Sequence, residues 1–135
     1  MLTDDELAGI CDLFGALTRE ELARARSELA FRRDEEAGPE GRIEAALSTY
    51  ALVEHDGLVL AGPAAFPTLP EGASDLPHIL EAPDREVDRE AAGEAVLAAL
   101  AAEEDTELAR EVSYDLEAWA PVDASAVREG EQERL

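Results

Sequence analysis

Hydrophobic positions recur with a helical period through the first third of the chain and then switch to the alternation of strands. Leu7, Ile10, Cys11 and Phe14 share one helical face, and Leu22, Ala25 and Leu29, with Ala30 beside them, share a second. Both helices carry the same start signal. Thr3 with Glu6 three residues later forms a capping box, and Leu2 ahead of the cap can pack on Leu7. Thr18, Glu21, Leu17 and Leu22 repeat that arrangement. The first helix should end near Gly15 and the second before the charged run from Arg32 to Glu36. Gly38-Pro39-Glu40-Gly41 breaks the chain, and the spacing of Ile43, Ala46, Leu47 and Tyr50 predicts a third helix over about residues 39–49. Strand-like runs over 51–55 and 58–61 flank Asp56-Gly57, the signature of a hairpin closed by a two-residue type I′ turn.

Three helices followed by a hairpin is the order of a winged helix-turn-helix, which places a winged-helix-like half at residues 1–62. Residues 63–87 carry Pro63, Pro67, Pro70, Pro77 and Pro83, which forbid a long helix and predict an extended strap. Phe66, Leu69, Leu76, Ile79 and Leu80 are spaced through it, a density of apolar side chains that packs against a body rather than floating as a linker. A helical half follows over 88–120. An Ala-rich helix runs from Asp88 to about Ala102, and a second stretch from Thr106 to Trp119 presents Leu108, Val112, Leu116 and Trp119. The fold class expected is α+β, mostly helical, as a single compact domain over 1–127 with a charged, non-periodic tail at 128–135, frayed or no more than a helical turn.

Charge changes the picture more than length does. The 135 residues hold 33 Asp and Glu against 11 cations, all of them Arg, for a formal net charge of −22. Complete loss of Lys with a carboxylate-crowded surface is the pattern of salt-loving cytoplasms, although a GC-rich genome also exchanges Lys for Arg. Spread over roughly 7,000 Å² of surface the carboxylates stand ~15 Å apart on average. Runs such as Asp34-Glu35-Glu36 and Glu103-Glu104-Asp105 place charges inside the ~8 Å screening length of physiological salt but near or beyond the ~3 Å length at 1 M. Cys11 is the lone cysteine, so no intramolecular disulfide forms, and its place on an apolar face reads as a buried thiol. The start of the chain lacks the basic region and apolar run of a signal peptide, and no segment has the length of a membrane span, so a cytoplasmic location is expected by exclusion.

Candidate chemistry is sparse. His55 and His78 lie in no ligand-spaced cluster, so neither metal nor cofactor is expected. Carboxylates at any chosen spacing carry no weight when they are everywhere. Gly38 and Gly41 lack the Lys and Ser/Thr of a phosphate-binding loop, and no Gly-x-Ser-x-Gly elbow occurs. The chain is therefore expected to be no enzyme, and a carboxylate site near His78 ranks last among the readings. For DNA, Arg24, Arg32, Arg33 and Arg42 are the candidate contacts, the third helix showing Glu40, Arg42, Glu44, Ala45, Ser48 and Thr49 outward. One Arg among so many carboxylates suits phosphates poorly. The preferred reading is an interaction or regulatory module binding a protein, with Phe66, Leu69, Tyr114 and Trp119 as candidate contacts. The strap then either borders a binding groove beside those aromatics or closes the core over them.

Longer runs carry a resemblance. Asp12-Leu13-Phe14-Gly15-Ala16-Leu17-Thr18 with Glu21-Leu22, and Glu28-Leu29-Ala30-Phe31-Arg32, are similar to an uncharacterised haloarchaeal family. So are Gly62-Pro63-Ala64-Ala65-Phe66-Pro67-Thr68-Leu69-Pro70, Asp75-Leu76-Pro77-His78-Ile79-Leu80 and Tyr114-Asp115-Leu116-Glu117-Ala118-Trp119-Ala120-Pro121-Val122-Asp123. The resemblance spans nearly the whole chain. It implies a halophilic source and no particular chemistry. Because mutual repulsion of carboxylates is screened by salt, the midpoint of a thermal melt should rise between about 0.1 and about 3 M KCl. A flat or falling midpoint would contradict a salt-adapted surface.

Overall fold

The computed structural model describes residues 2–32, 34 and 41–133. Arg33, Pro39, Glu40 and the last residues of the tail lie outside them. The chain divides into two compact units, Met1–Val87 and Asp88–Leu135. The division falls where the strap meets the helical half. The class is α+β and mostly helical, with one two-stranded antiparallel hairpin among the described residues.

In the first unit α1 spans Asp4–Phe14, α2 Arg19–Arg32 and α3 Arg42–Ser48. Both capping boxes form. The Thr3 and Glu6 side chains each accept the other residue's backbone N–H at 3.1 Å. Thr18 N–H donates to Glu21 Oε1 at 2.8 Å while Glu21 N–H donates to Thr18 Oγ1 at 3.1 Å. Reciprocal caps satisfy N–H groups that a helix start leaves without intrahelical partners. Helix α1 ends at Gly15, whose φ of 85° is the conformation glycine adopts without a steric cost.

Strands β1 (Leu52–His55) and β2 (Leu58–Ala61) pair in the register Leu52 with Ala61 through His55 with Leu58. Asp56 and Gly57 both have positive φ, 53° and 76°, as a type I′ turn requires. Leu17, between α1 and α2, exchanges backbone hydrogen bonds with Val59, so a single bridge ties the link between the helices to β2. The core of this unit is formed by Leu7, Ile10, Phe14, Leu22, Leu29 and Leu52 with their neighbours. Burial on the order of 1.5–3 kcal/mol per large side chain drives its formation.

The strap does pack. It runs beside α1 in the direction of the helix. Phe66 N–H donates to Asp5 Oδ1 at 3.0 Å, Thr68 N–H to the Asp5 carbonyl at 2.9 Å, and Arg85 N–H to the Phe14 carbonyl at 2.8 Å. Between these ties it is not uniformly extended. A 3₁₀ turn at Ala73–Asp75 leads into the one-turn helix α4 (Leu76–Ile79), which sets Ala73, Leu76 and Leu80 into the core. Glycine makes the close approach possible. A Cβ on Gly9 would sit 2.1 Å from Thr68 O, and one on Gly15 1.8 Å from Arg85 O.

The second unit is a helical hairpin extended by a third helix: α5 (Arg89–Ala101), α6 (Thr106–Trp119) and α7 (Ser125–Glu133). Asp88 and Asp105 cap the first two through side-chain bonds of 3.1 Å to Ala91 and Leu108 N–H. Ala92, Val96 and Leu100 face Ala109, Val112 and Leu116 in the interior. The tail from residue 128, expected to be frayed or no more than a helical turn, belongs to α7, which runs to Glu133. The reason is Arg128, which reaches Ser113 Oγ and Glu117 Oε1, each at 3.0 Å.

Helix propensity and packing give opposite signs for one substitution. In an isolated helix Gly9→Ala stabilises by about 1 kcal/mol. Here it should destabilise by roughly 1–3 kcal/mol, because a backbone carbonyl occupies the methyl position. Hydrogen exchange checks it: the Thr68 amide should lose protection before the amides of α1.

Candidate functional site

Two surfaces of the first unit stand out, an exposed piece of strap and the cleft beside it. Phe66, Pro67, Thr68 and Leu69 are consecutively exposed, with Phe66 81% and Leu69 45% accessible, while Pro63 and Pro70 on either side are buried. Pro67 and Pro70 set their own φ and restrict Phe66 and Leu69 before them to extended backbone. The Asp5 bonds pin the segment from beneath. Of the two roles open to the strap, closing the core is performed by Ala73, Leu76 and Leu80, and Phe66 stands outside that core rather than beneath the strap.

Next to it lies an open cleft of about 600 Å³ at the start of α1. Asp4, Asp5, Thr49 and Arg42 line it with the small side chains of Ala51 and Ala64. Arg42 is oriented inward, contrary to the outward position expected from its helical spacing. Its NH1 group pairs with Asp4 Oδ1 at 2.5 Å, its Nε donates to the Leu2 carbonyl at 3.1 Å, and its side chain is only 16% exposed. Asp5 belongs to both surfaces, lining the cleft and holding Phe66 N–H.

The other cations are similarly engaged. Arg32 meets Glu28 and Asp75, each at 3.6 Å, and Arg24 is exposed on α2. Arg33 falls outside the described residues. Arg19 bridges three elements, gripping Glu54 of β1 with two nitrogens at 2.6 and 3.1 Å and pairing with Glu44 of α3. Those bonds raise the pKa of Arg19 and lower that of Glu54. Arg26 is buried, which lowers its pKa, with the nearby charge of Arg42 adding to the effect. Of the three described DNA candidates, Arg32 and Arg42 are thus paired with carboxylates, and Arg24 is exposed on α2.

Sequence reasoning missed the most buried ion pair among the described residues. Glu21 and Arg85 meet at 2.6 and 3.3 Å, with side-chain exposures of 11% and 23%, and Arg85 also donates to the Ala16 carbonyl at 3.1 Å. The signal was available: Arg85 is the single cation between residues 63 and 87. Hydrogen bonding to Arg85, reinforced by Thr18, holds the Glu21 carboxyl below its ordinary pKa.

In the second unit each candidate aromatic carries an arginine. The Arg89 guanidinium lies 4.3 Å from the Trp119 ring centre, and that of Arg128 lies 4.3 Å from the Tyr114 ring centre. Cation–π contact leaves less ring surface for a partner. Tyr114 remains half exposed. Phe31, at 82% exposure, is an apolar candidate that the helical pattern of α2 did not single out.

Chemistry elsewhere is quiet. Burial, with Asp12 adding, pushes the Cys11 thiol up to about 12, which makes it inert as a nucleophile at neutral pH. His78 is exposed on α4, and His55 sits 3.4 Å from Asp56. Among the described residues no group of three or more His, Cys, Asp or Glu side chains is arranged to hold a metal ion. None of the helices there is long and apolar enough to cross a membrane.

A family model for a family of unknown function, DUF7109, matches residues 5–135. The chain belongs to DUF7109. No curated protein and no solved structure matches it. The DUF7109 match takes in both units, from the first turn of α1, where Asp5 holds the strap, to the end of the chain.

The Glu21–Arg85 pair yields a pH test. A depressed carboxyl pKa stabilises the folded state fully above the unfolded value of about 4.3, and that contribution disappears as pH falls through the folded value. Glu21→Gln should therefore lower stability by about 1–3 kcal/mol at pH 7. The gap from the unmodified protein should begin to narrow as pH falls below about 4.3 and close only below the lowered folded-state value. Urea unfolding at several pH values measures both, and a gap independent of pH would remove the carboxylate from this role.

Proposed function

We propose that this chain is a salt-adapted cytoplasmic interaction or regulatory module without catalytic activity, and that it binds a protein. The observation carrying this reading is the pinned, exposed strap segment, with Phe66 and Leu69 held in water on a backbone that cannot collapse inward. A rigid aromatic and a neighbouring aliphatic are the residues that anchor protein interfaces, because little entropy is lost when they dock. Apolar contact also persists in molar salt, where charge attraction is screened. The absence of Lys and the net charge of −22 support a halophilic source.

A winged-helix DNA-binding regulator is the second reading. The Leu17–Val59 bridge favours it, since helix, bridged link, helix, helix and hairpin follow one another in winged-helix order. The surface speaks for protein instead. Exposed Glu44 lies on α3 and exposed Glu54 on the hairpin, and Arg42 is already paired with Asp4.

Immobilised protein in about 3 M KCl should retain a partner from its own lysate, and Phe66→Ser/Leu69→Ser should lose it without a shift in melting temperature. Retention of nothing would overturn the protein reading. Fluorescence anisotropy with mixed-sequence duplex DNA at about 0.2 M KCl should show no saturable binding at micromolar protein. A steep salt-dependent affinity would restore the DNA reading.

A further inference from the structure

We propose that the Phe66 strap segment and the cleft behind Asp5 form one docking face for a protein that offers an apolar pocket beside an arginine; this rests on the interaction reading above. Three observations converge on that partner. First, the two surfaces are continuous, because the Asp5 side chain both lines the cleft and accepts Phe66 N–H at 3.0 Å. Second, they differ in shape. The strap is convex, with Phe66 81% exposed, so the partner must supply the pocket. The cleft is concave and open, about 600 Å³, so there the partner must supply the projecting side chain.

Third, charge selects that side chain. Among the described residues Asp4 and Asp5 face one cation in the cleft, Arg42, whose NH1 group is already on Asp4. One carboxylate is left in excess, and Asp5 spends one oxygen on the strap. A carboxylate oxygen accepts more than one hydrogen bond, so Asp5 can take an incoming donor without releasing Phe66. Thr49 Oγ1, already 3.3 Å from Asp4 Oδ2, and the methyl groups of Ala51 and Ala64 leave room for an apolar stem beneath a charged head. Guanidinium fits better than ammonium there. It is more weakly hydrated and meets a carboxylate in a planar fork, properties that persist when salt has screened simple attraction. A second copy of this chain fits poorly, since it would set one surface of net charge −22 against another.

The test replaces Phe66 by the photo-crosslinking amino acid p-benzoylphenylalanine in the full chain, with Tyr114→p-benzoylphenylalanine as the control position. Both are irradiated in the protein's own lysate at about 3 M KCl, and the crosslinked peptides are sequenced. The expected result is a discrete protein adduct at position 66 and none at 114, mapping to an apolar pocket with an Arg close by. Replacing that Arg by Ala in the purified partner should weaken binding about 3–5-fold, and Phe66→Ala roughly 30-fold or more. Crosslinking to a second copy, to nucleic acid, or to a pocket without a cation would overturn the proposal. If the immobilised protein retains a partner but position 66 forms no adduct, this docking face is refuted while the interaction reading survives. If neither occurs, both are lost.

Discussion

The first unit depends on a carboxylate that serves two purposes. Glu21 closes the cap of α2 by accepting Thr18 N–H, and the same side chain receives the Arg85 guanidinium from the far end of the strap. Arg85 in turn donates to the Ala16 carbonyl, and its own N–H reaches Phe14 at the end of α1. The close of one helix, the start of the next and the end of the strap are therefore fixed by one cluster. At the other end Asp5 does the corresponding work with its carbonyl and side chain. Between the two the chain can lie on α1 only because Gly9 and Gly15 present no Cβ. A strap fixed at both ends has no freedom to fold Phe66 inward, so its exposure follows from the backbone.

The same geometry explains why arginine suffices as the sole basic residue. Arg19 grips two carboxylates on different elements, Arg42 spans a carboxylate and a carbonyl, Arg85 does the same, and Arg128 combines a ring face with a hydroxyl and a carboxylate. A planar fork with several donors performs these multiple contacts, whereas a lysine ammonium offers one compact charge that is costly to dehydrate. Cations used in this way join elements within a carboxylate-rich unit. They are then poorly placed to meet an external polyanion.

Much of this was legible in the sequence because it is local. Thr3 with Glu6, Thr18 with Glu21, Asp56-Gly57 and Gly15 specify caps, a turn and a stop within a few residues, and each forms as its chemistry dictates. What escaped depends on distant partners. Helical spacing places Arg42 outward, but its long side chain bends back to Leu2 and Asp4 some forty residues earlier. Residues 128–133 carry no apolar side chain, yet Arg128 ties their helix to Ser113 and Glu117. Phe66 reads as an anchor in the pattern, and in the structure it stands exposed; only the proline geometry and the Asp5 bonds reveal which side it faces.

Fold order and surface chemistry therefore point to different functions, and the surface has the stronger claim. Helix order with a hairpin and a bridged linker describes a scaffold, and a scaffold hosts many activities. The groups a ligand meets are chosen separately. On α3 and the hairpin, the elements that the DNA reading would use, Glu44 and Glu54 are already paired with Arg19. On the opposite resource of the fold, the strap, the exposed groups are apolar and cannot be satisfied internally at all, since the ties to Asp5 and Phe14 keep the chain on the outside of α1. The proposed salt-adapted interaction gains most from contacts that salt does not screen. The proposed docking face assigns that contact to Phe66 and Leu69 and gives it direction through the cleft at Asp5.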